Sequence, residues 1–335
     1  MPKKRHPRRG SLAHTPRKRA PRQKSRIRAW PEDSRLRPLG FTGYKAGMTQ
    51  VFMVDDREGS LTRNQEINVP VTILDAPPLL ICAARIYGIS SRKRNVLTEV
   101  WAKNLTEDLN KTIKLPEEYD QEASIEYAEE FIEDGKAENI RIFTHTQPRL
   151  SSVPKKKPEI IELQVGGDSV EDKWDYVKDL LGTELRISEV FDEGEYVDVT
   201  AITKGKGFKG PVQRWGVKVQ PRKVYQARRH VGTLGPWRPR AIMRSVPSAG
   251  QTGYHQRTEY NKRILKTGTD GGEVTPDGGF LRFGNVEGDF VMLKGSVPGP
   301  TKRLVSLRRA MRKKEEAPAG PPTITYIDTS SQQGG

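Results

Sequence analysis

The stretch that decides the fold is Gly40-Phe-Thr-Gly-Tyr-Lys-Ala-Gly-Met-Thr-Gln-Val-Phe-Met-Val54. Its glycine-rich first part opens the folded region, and Thr49–Val54 has the β-branched and aromatic residues typical of a strand. Similar runs follow at Val69–Leu74, Leu80–Tyr87 and Leu97–Trp101. Several short strands separated by turn residues favour a small antiparallel β-barrel over a sheet of βαβ units. The predicted fold class is therefore mainly β.

Residues 104–182 have a different character and predict an α/β insertion. Residues 104–139 hold twelve acids against three lysines. Glu122–Asp134 has a helical apolar face, and Val170–Leu181 has a second one, with Ser169 as its N-cap. Between these helices, Ile140–Thr144 and Glu159–Val165 are predicted strands.

Later strands are predicted to complete the barrel. Glu195–Thr203 alternates apolar and polar residues, and Gly279–Phe283, Phe290–Leu293 and Arg303–Leu307 follow after a long basic segment. The predicted divisions are a basic N-terminal extension (1–40), three barrel parts (41–103, 183–203 and 267–314), the insertion (104–182), a basic finger loop rich in glycine and tryptophan (204–266) and a loose C-terminal tail (315–335).

The charge of the chain is segregated along its length. Of its 58 Lys and Arg residues, fourteen lie in residues 1–40, sixteen in 204–266 and eight in 294–314. These three blocks contain three acids, Glu32, Asp33 and Glu259, although the whole chain has 42. Soluble proteins ordinarily intersperse the two signs, whereas separate basic blocks are typical of nucleic-acid binding. The composition therefore predicts an RNA-binding protein with an acidic side.

The start of the finger loop, Gly205-Lys-Gly-Phe-Lys-Gly210, has the glycine spacing of a dinucleotide-binding turn. That interpretation fails because Pro211 follows at once, and because no acid lies about 20 residues further on to bind a ribose. A flexible glycine hairpin is one alternative. The interleaved lysines favour a cradle of backbone and ammonium groups for RNA phosphates, and Trp215 and Trp237 favour contact with RNA over packing in a small core.

Other function classes find little support in the sequence. No stretch approaches the ~20 apolar residues of a membrane span, and the basic N-terminus lacks the apolar segment of a signal peptide. The five histidines are not at metal-ligand spacing, and Cys82 is the one cysteine. We expect no catalytic residue, no metal, no cofactor and no membrane partner, and by default a cytoplasmic location.

Five motifs occur together and in order: His6-Pro-Arg-Arg-Gly-Ser-Leu12 with Pro16-Arg-Lys-Arg19, Gly43-Tyr-Lys-Ala-Gly-Met-Thr49, Thr203-Lys-Gly-Lys-Gly-Phe208, Gly253-Tyr-His-Gln-Arg-Thr258 and Lys294-Gly-Ser-Val-Pro-Gly-Pro300. This combination resembles the large-subunit ribosomal protein three family in its archaeal and eukaryotic form. The resemblance covers about residues 5–310.

The resemblance implies a translation-protein-type antiparallel β-barrel with long basic RNA-binding extensions, located in the cytoplasm on the ribosome. It implies large-subunit rRNA and neighbouring large-subunit proteins as partners, with no homo-oligomer. It also implies early binding near the 3′ end of the 23S-type rRNA, nucleation of subunit assembly, and a finger that reaches toward the peptidyl-transferase centre with Trp237 at its tip.

The candidate rRNA-binding residues are mainly the basic and aromatic side chains of the three blocks. They are Arg8, Arg9, Arg17, Lys18, Arg19, Lys45, Lys204, Lys206, Lys209, Arg214, Trp215, Arg222, Lys223, Arg228, Arg229, Trp237, Arg238, Arg240, Tyr254, His255, Arg257, Lys262, Arg263, Lys302 and Arg303. Two other functions stay open at this point. An RNA-modifying enzyme or its guide subunit would need a cofactor pocket or catalytic acid, and a free RNA chaperone or translational regulator fits the charge equally well.

Overall fold

The computed structural model describes residues 10–90, 93–116, 119–312, 318 and 320–332. In these residues it contains strands β1 (Gly40–Val54), β2 (Glu66–Asp75), β3 (Leu79–Ser90), β4 (Lys93–Trp101), β5 (Ala137–His145), β6 (Ile160–Gln164), β7 (Glu184–Leu185), β8 (Tyr196–Ile202), β9 (Gly205–Lys209), β10 (Gly250–Gly253), β11 (Gln256–Gly268), β12 (Phe290–Lys294), β13 (Leu304–Arg309) and β14 (Ile324–Ile327). The α-helices are α1 (Glu107–Asn110), α2 (Gln121–Glu133), α3 (Val170–Leu180), α4 (Ile187–Val190) and α5 (Pro211–Trp215).

The chain divides into two compact units. The smaller one comprises Met1–Gln23, described from residue 10, together with Ile202–Arg257. The larger one comprises Lys24–Ala201 and Thr258–Gly335. The predicted finger loop is therefore not a single body, because residues 258–266 belong to the larger unit.

The larger unit is built on a seven-stranded antiparallel sheet with the strand order β13-β8-β11-β12-β2-β1-β14. Strand β13 also pairs with β1, so the hydrogen-bonded neighbours lead from β1 through β2, β12, β11, β8 and β13 back to β1. The mainly β class is thereby confirmed.

Strand β1 forms the centre of this arrangement because its glycines admit close neighbours. A Cβ at Gly47 would overlap the ring of Phe280, and the β1–β2 register shifts between Lys45 and Gly47. On the same strand, Phe41 and Tyr44 are fully buried, and the Tyr44 hydroxyl bonds to Thr146 Oγ1 at 3.0 Å. The glycine-rich part that was expected to precede a strand is thus part of the strand itself.

A second antiparallel sheet has the order β4-β3-β5-β6, with β7 beside β3. Helices α2 and α3 pack against β4 and β5, respectively. Both helices lie where the sequence predicts them, and the Ser169 hydroxyl caps α3 by accepting from the Asp172 amide at 3.0 Å. Strands β3 and β4 lie in the predicted barrel part 41–103, and β3 also pairs with β5 and β7, which lie beyond residue 103. The predicted boundary at residue 103 therefore divides one sheet.

Three local predictions are wrong. Residues 279–283 form a turn instead of a strand, because Gly279 and Arg282 have positive φ angles of 79° and 65°. Strand β11 begins in the predicted loop 204–266, and its mostly polar residues from Gln256 to Arg263 conceal it in the sequence. In the predicted loose tail, β14 pairs with β1 near Val51. In β11 and β14, backbone pairing decides the structure, whereas side-chain polarity predicts loops.

No helix among residues 10–90, 93–116, 119–312 and 320–332 is both long enough and apolar enough to cross a membrane.

Candidate nucleic-acid interface

The smaller unit concentrates positive charge without any compensating acid. Its described residues, 10–23 and 202–257, contain seventeen Lys and Arg side chains and no Asp or Glu. A carboxylate inside this unit therefore cannot neutralise these cations, and they depend on solvent ions or on a bound polyanion. This is the strongest electrostatic feature of the described chain.

A glycine-rich hairpin of β9 and β10 forms the base, here called the root, of the predicted finger loop. Strand β10 pairs antiparallel with β9, placing Gly250 opposite Lys209 and Gln251 opposite Phe208. Gly207 and Gly253 have φ angles of 66° and 69°, a backbone conformation that side chains other than glycine rarely adopt. The Phe208 ring is 77% exposed. The sequence Gly205–Gly210 is therefore a hairpin strand presenting an aromatic face, with Lys204 and Lys206 exposed beside it.

Trp215, which is predicted to contact RNA, lies in a small core at the root of the finger. It is 8% exposed, and its indole Nε1 donates to the Ser248 carbonyl at 2.9 Å. The Arg17 guanidinium lies 3.6 Å from the ring centroid, and Gly10 lies against the ring edge. Pro211 begins α5 and Gly216 ends it, so that the Trp215 ring packs against residues of the same unit. The buried tryptophan therefore stabilises the root.

Arg17 and Arg214 fasten the N-terminal extension to this root through backbone carbonyls. Arg17 Nη1 donates to the Arg214 carbonyl at 2.9 Å, and Arg214 Nη2 donates to the Arg17 carbonyl at 3.2 Å. Arg214 also donates to the carbonyls of Gln251 and Ser248, at 3.0 and 2.9 Å. Burial, followed by the nearby Arg17 charge, lowers the pKa of Arg214. The two guanidiniums are thus held together by neutral acceptors, which favours an anion nearby.

A second contact joins the extension to β10 and the start of β11. The Ala20 amide donates to the Tyr254 carbonyl at 2.8 Å, and the Arg19 guanidinium lies 5.0 Å from the Tyr254 ring centroid. His255 Nδ1 is 2.8 Å from the Lys18 carbonyl oxygen. Burial and the surrounding arginines, Arg257 foremost among them, lower the pKa of His255. The imidazole therefore bridges the two segments.

Beyond the root, residues 216–249 contain no helix or strand and carry seven of the 25 predicted contact residues. Tyr225 is 92% exposed and Trp237 is 82% exposed. The exposed predicted cations of this segment are Arg222, Lys223, Arg228, Arg229, Arg238 and Arg240. Exposed aromatic rings, among cations that have no ion pair within the described part of the chain, present the two contacts, stacking and charge, that RNA recognition uses. We call residues 216–249 the finger.

Four predicted residues of the larger unit are engaged in its own structure. Lys45 is buried and donates to the Val297 carbonyl at 2.6 Å. Arg263 is 2% exposed and donates to Asp56 at 2.8 Å, and Lys262 Nζ lies 2.8 Å from Glu259. Arg303 is half-buried and its carbonyl accepts from the Lys45 amide. These contacts give Lys45 and Arg263 structural roles, whereas Lys302 is exposed.

The remaining predicted residues divide simply. Arg8 and Arg9 lie outside the described residues, while Lys209 and Arg257 are half-buried in the smaller unit. Sequence reasoning missed Phe208 and Tyr225, which the structure exposes; the available signal was an aromatic residue within a run of basic residues. It also missed the stacking of Arg312 on Tyr260, with 5.1 Å between guanidinium and ring centroid.

Comparison with known proteins extends over nearly the whole chain. A family model described as Ribosomal protein L3 matches residues 1–334. The protein named large ribosomal subunit protein uL3 from Methanocaldococcus jannaschii is 52% identical over 98% of both chains. Its namesake from Methanothermobacter thermautotrophicus is 50% identical over 100% of both, and that from Methanopyrus kandleri is 50% identical over 98% of this chain and 91% of its own. The similarity therefore includes the finger and the insertion alike.

Proposed function

The chain belongs to the ribosomal protein L3 family, and we propose that its smaller unit inserts into the large-subunit rRNA as an early assembly scaffold. Membership of the family makes the chain a structural, rRNA-binding component of the large ribosomal subunit and not an enzyme. The finer proposal is that it binds first near the 3′ end of the 23S-type rRNA, and that its finger extends toward the peptidyl-transferase centre with Trp237 foremost.

The observation that carries the proposal is the absence of acids from the described part of the smaller unit. Seventeen cations in 70 described residues repel one another, and the repulsion is relieved when phosphates replace diffuse counterions. An exposed surface of mixed sign would serve solubility equally well without this cost. The charge distribution therefore supports binding to a dense polyanion such as folded rRNA.

The structure of the root supports a scaffold more than a diffuse basic tail. Trp215, Arg17 and Arg214 hold the N-terminal extension against the hairpin through the contacts described above. Such preorganisation lowers the entropy that must be lost on binding, while the finger retains the freedom to fit between RNA helices. Early, tight binding followed by ordering of the finger is the sequence of events that this division favours.

The finger tip has side chains suited to recognising the shape of folded RNA. Trp237 presents a large exposed ring, and Arg238 and Arg240 follow it within three residues. A cavity of about 260 Å³ lies in the same segment, lined mostly by apolar residues that include Leu234 and Met243. Unstacked bases in RNA loops are bound through such faces and through arginine planes. This chemistry supports contact with an irregular rRNA region and fits the proposed reach toward the peptidyl-transferase centre.

Sedimentation of cell lysate separates this proposal from a free chaperone or regulator. We expect the chain to migrate with the large subunit in equal stoichiometry and to stay there through a high-salt wash. Release at modest salt, or migration in light fractions, would contradict the scaffold role. Early binding is tested by pulse labelling, in which the chain should enter the lightest rRNA-containing precursors, and late entry would contradict it.

A further inference from the structure

The acidic insertion has one basic end. The β-sheet pairings place Trp101 beside Ala83, His145 beside Leu80, and Ile160 beside His145. The segments 102–116 and 146–159, which leave β4 and β5 at these residues, therefore emerge at the same end of the five-stranded sheet. Together they contain seven Lys and Arg residues and three acids, although residues 104–139 as a whole are strongly acidic.

The two segments are fixed to each other by side-chain contacts. Thr112 Oγ1 donates to the Pro158 carbonyl at 3.1 Å, and Thr106 Oγ1 lies 3.2 Å from His145 Nε2. Asp108 pairs with cations from both segments, at 2.6 Å from Lys111 and 3.7 Å from Arg149. The end of the sheet is thus a built surface on which two of the three acids, Asp108 and Glu159, are already paired with cations.

Three consecutive lysines occupy a turn on this surface. In Pro154-Lys-Lys-Lys-Pro158, Val153 and Pro158 are buried and hold the turn in place, so the lysines are presented from a fixed backbone. Lys155 pairs with Glu159 at 2.6 Å. Lys156 and Lys157 are exposed, as is Lys114 two residues from Thr112, and none of these three has an ion pair among the described residues. We call Lys114, Lys156 and Lys157 the lysine surface.

We propose that the lysine surface is a second RNA contact, which binds the phosphate backbone of a large-subunit rRNA segment independently of the finger. Like charges on adjacent positions of an anchored turn repel, and nearby acids would relieve the repulsion if stability alone were selected. Ammonium groups bind phosphates as point charges without reading sequence, so the surface would fix orientation. This inference rests on the proposed function, because it assigns a further part of the same rRNA as the partner.

Tethered hydroxyl-radical cleavage tests the proposal in intact subunits. Lys156→Cys would carry an iron chelate and be incorporated into large subunits in cells. The native thiol does not interfere, because Cys82 is fully buried and burial raises its pKa to about 12. Glu126→Cys, on the exposed face of α2, is the control, and Arg240→Cys in the finger reports the proposed function.

We expect cleavage of one rRNA segment from position 156, of a different segment from position 240, and none from position 126. Cleavage from 240 without cleavage from 156 would overturn the lysine surface and leave the proposed function intact. Silence from both positions would overturn both. Cleavage from 126 equal to that from 156 would also overturn the inference, because proximity to rRNA would then be general.

Salt dependence gives a second, independent measurement. Lys156→Gln/Lys157→Gln should make the log–log salt slope of rRNA binding shallower by about 1.4 to 1.8, since each neutralised phosphate contributes about 0.7 to 0.9. The matched control is Lys136→Gln/Lys173→Gln, which removes the same charge from residues outside the two segments. An unchanged slope in the first variant, or an equal change in both, would contradict a phosphate contact at this surface.

Discussion

Excision of exposed finger residues should weaken rRNA binding by a predictable electrostatic amount while sparing the fold. Residues 221–244 are exposed except for Val231, and they include seven Lys and Arg side chains. Replacing them with a short Gly-Ser linker leaves β9, α5 and β10 in place. The root contacts of Trp215 and Arg214 remain, so the unfolding midpoint of the shortened chain should stay close to that of the parent.

The magnitude follows from counterion release. If all seven cations neutralise phosphates, the log–log salt slope should become shallower by about 5 to 6. Between 50 and 200 mM KCl the parent chain should then lose about 10³-fold more affinity than the shortened chain. Filter binding to a purified large-subunit rRNA fragment at four salt concentrations measures both quantities.

A full-length variant with glutamine at the same seven positions is the matched control, because it keeps the length of the finger and removes its charge. Equal slopes for the two variants would assign the effect to charge. A slope within about 1 of the parent value in both variants would refute the reasoning, since the finger cations would then not neutralise phosphates. Loss of binding together with loss of the unfolding transition would refute the claim that the root folds without the finger.

Trp215→Ala should lower the free energy of unfolding by about 3 kcal/mol, because it removes a buried indole, and amide hydrogen exchange in β9 and β10 should accelerate. Trp237→Ala should change the free energy of unfolding by less than about 0.5 kcal/mol and should alter chemical probing of the rRNA near the finger tip. Arg263→Ala should lower the free energy of unfolding by about 2 kcal/mol in urea titrations, because it leaves Asp56 without its buried partner, and should leave the salt slope unchanged. Burial raises the pKa of Asp75 from 3.8 to about 6, so the folded state holds this proton more tightly than the unfolded state and stability should fall as pH rises from about 4 to 6. Asp75→Asn should accordingly raise the free energy of unfolding above pH 6 by up to about 3 kcal/mol and flatten that pH dependence in urea titrations, and a variant less stable than the parent at pH 7 would contradict this sign.

The sequence predicts elements well where side-chain pattern and backbone pairing agree. Helix α3 is an example, because its cap Ser169 and its buried Trp174 are local signals. Strand β11 is not predicted, because the residues Gln256-Arg-Thr-Glu-Tyr-Asn-Lys-Arg263 are mostly polar. Its extended conformation is stabilised by backbone hydrogen bonds to β8 and β12, which are distant in sequence. Local pattern cannot identify those partners, and for the same reason it does not show that β3 pairs with β5, a strand of the predicted insertion.

The candidate site shows the same limit at the level of single residues. Composition predicts that the basic blocks bind RNA, but it cannot tell Trp215 from Trp237, since both follow glycine and proline in a basic context. The difference arises from tertiary contacts: Arg17, nearly 200 residues away in sequence, covers the Trp215 ring, whereas the Trp237 ring is exposed.

Whether a given arginine serves the fold or the RNA depends on the carboxylates within its reach. Arg308 is buried and lies 3.0 Å from Asp198, and Arg263 is buried beside Asp56, so both cations are neutralised inside the larger unit. Arg17 and Arg214 are also partly buried, yet their contacts are carbonyl oxygens, which leave the charge in place. A buried cation without a carboxylate is costly unless an anion arrives from outside. The exclusion of acids from residues 10–23 and 202–257 thus supports the proposal that arginines of the smaller unit bind RNA, whereas the same type of side chain forms structural ion pairs in the larger unit.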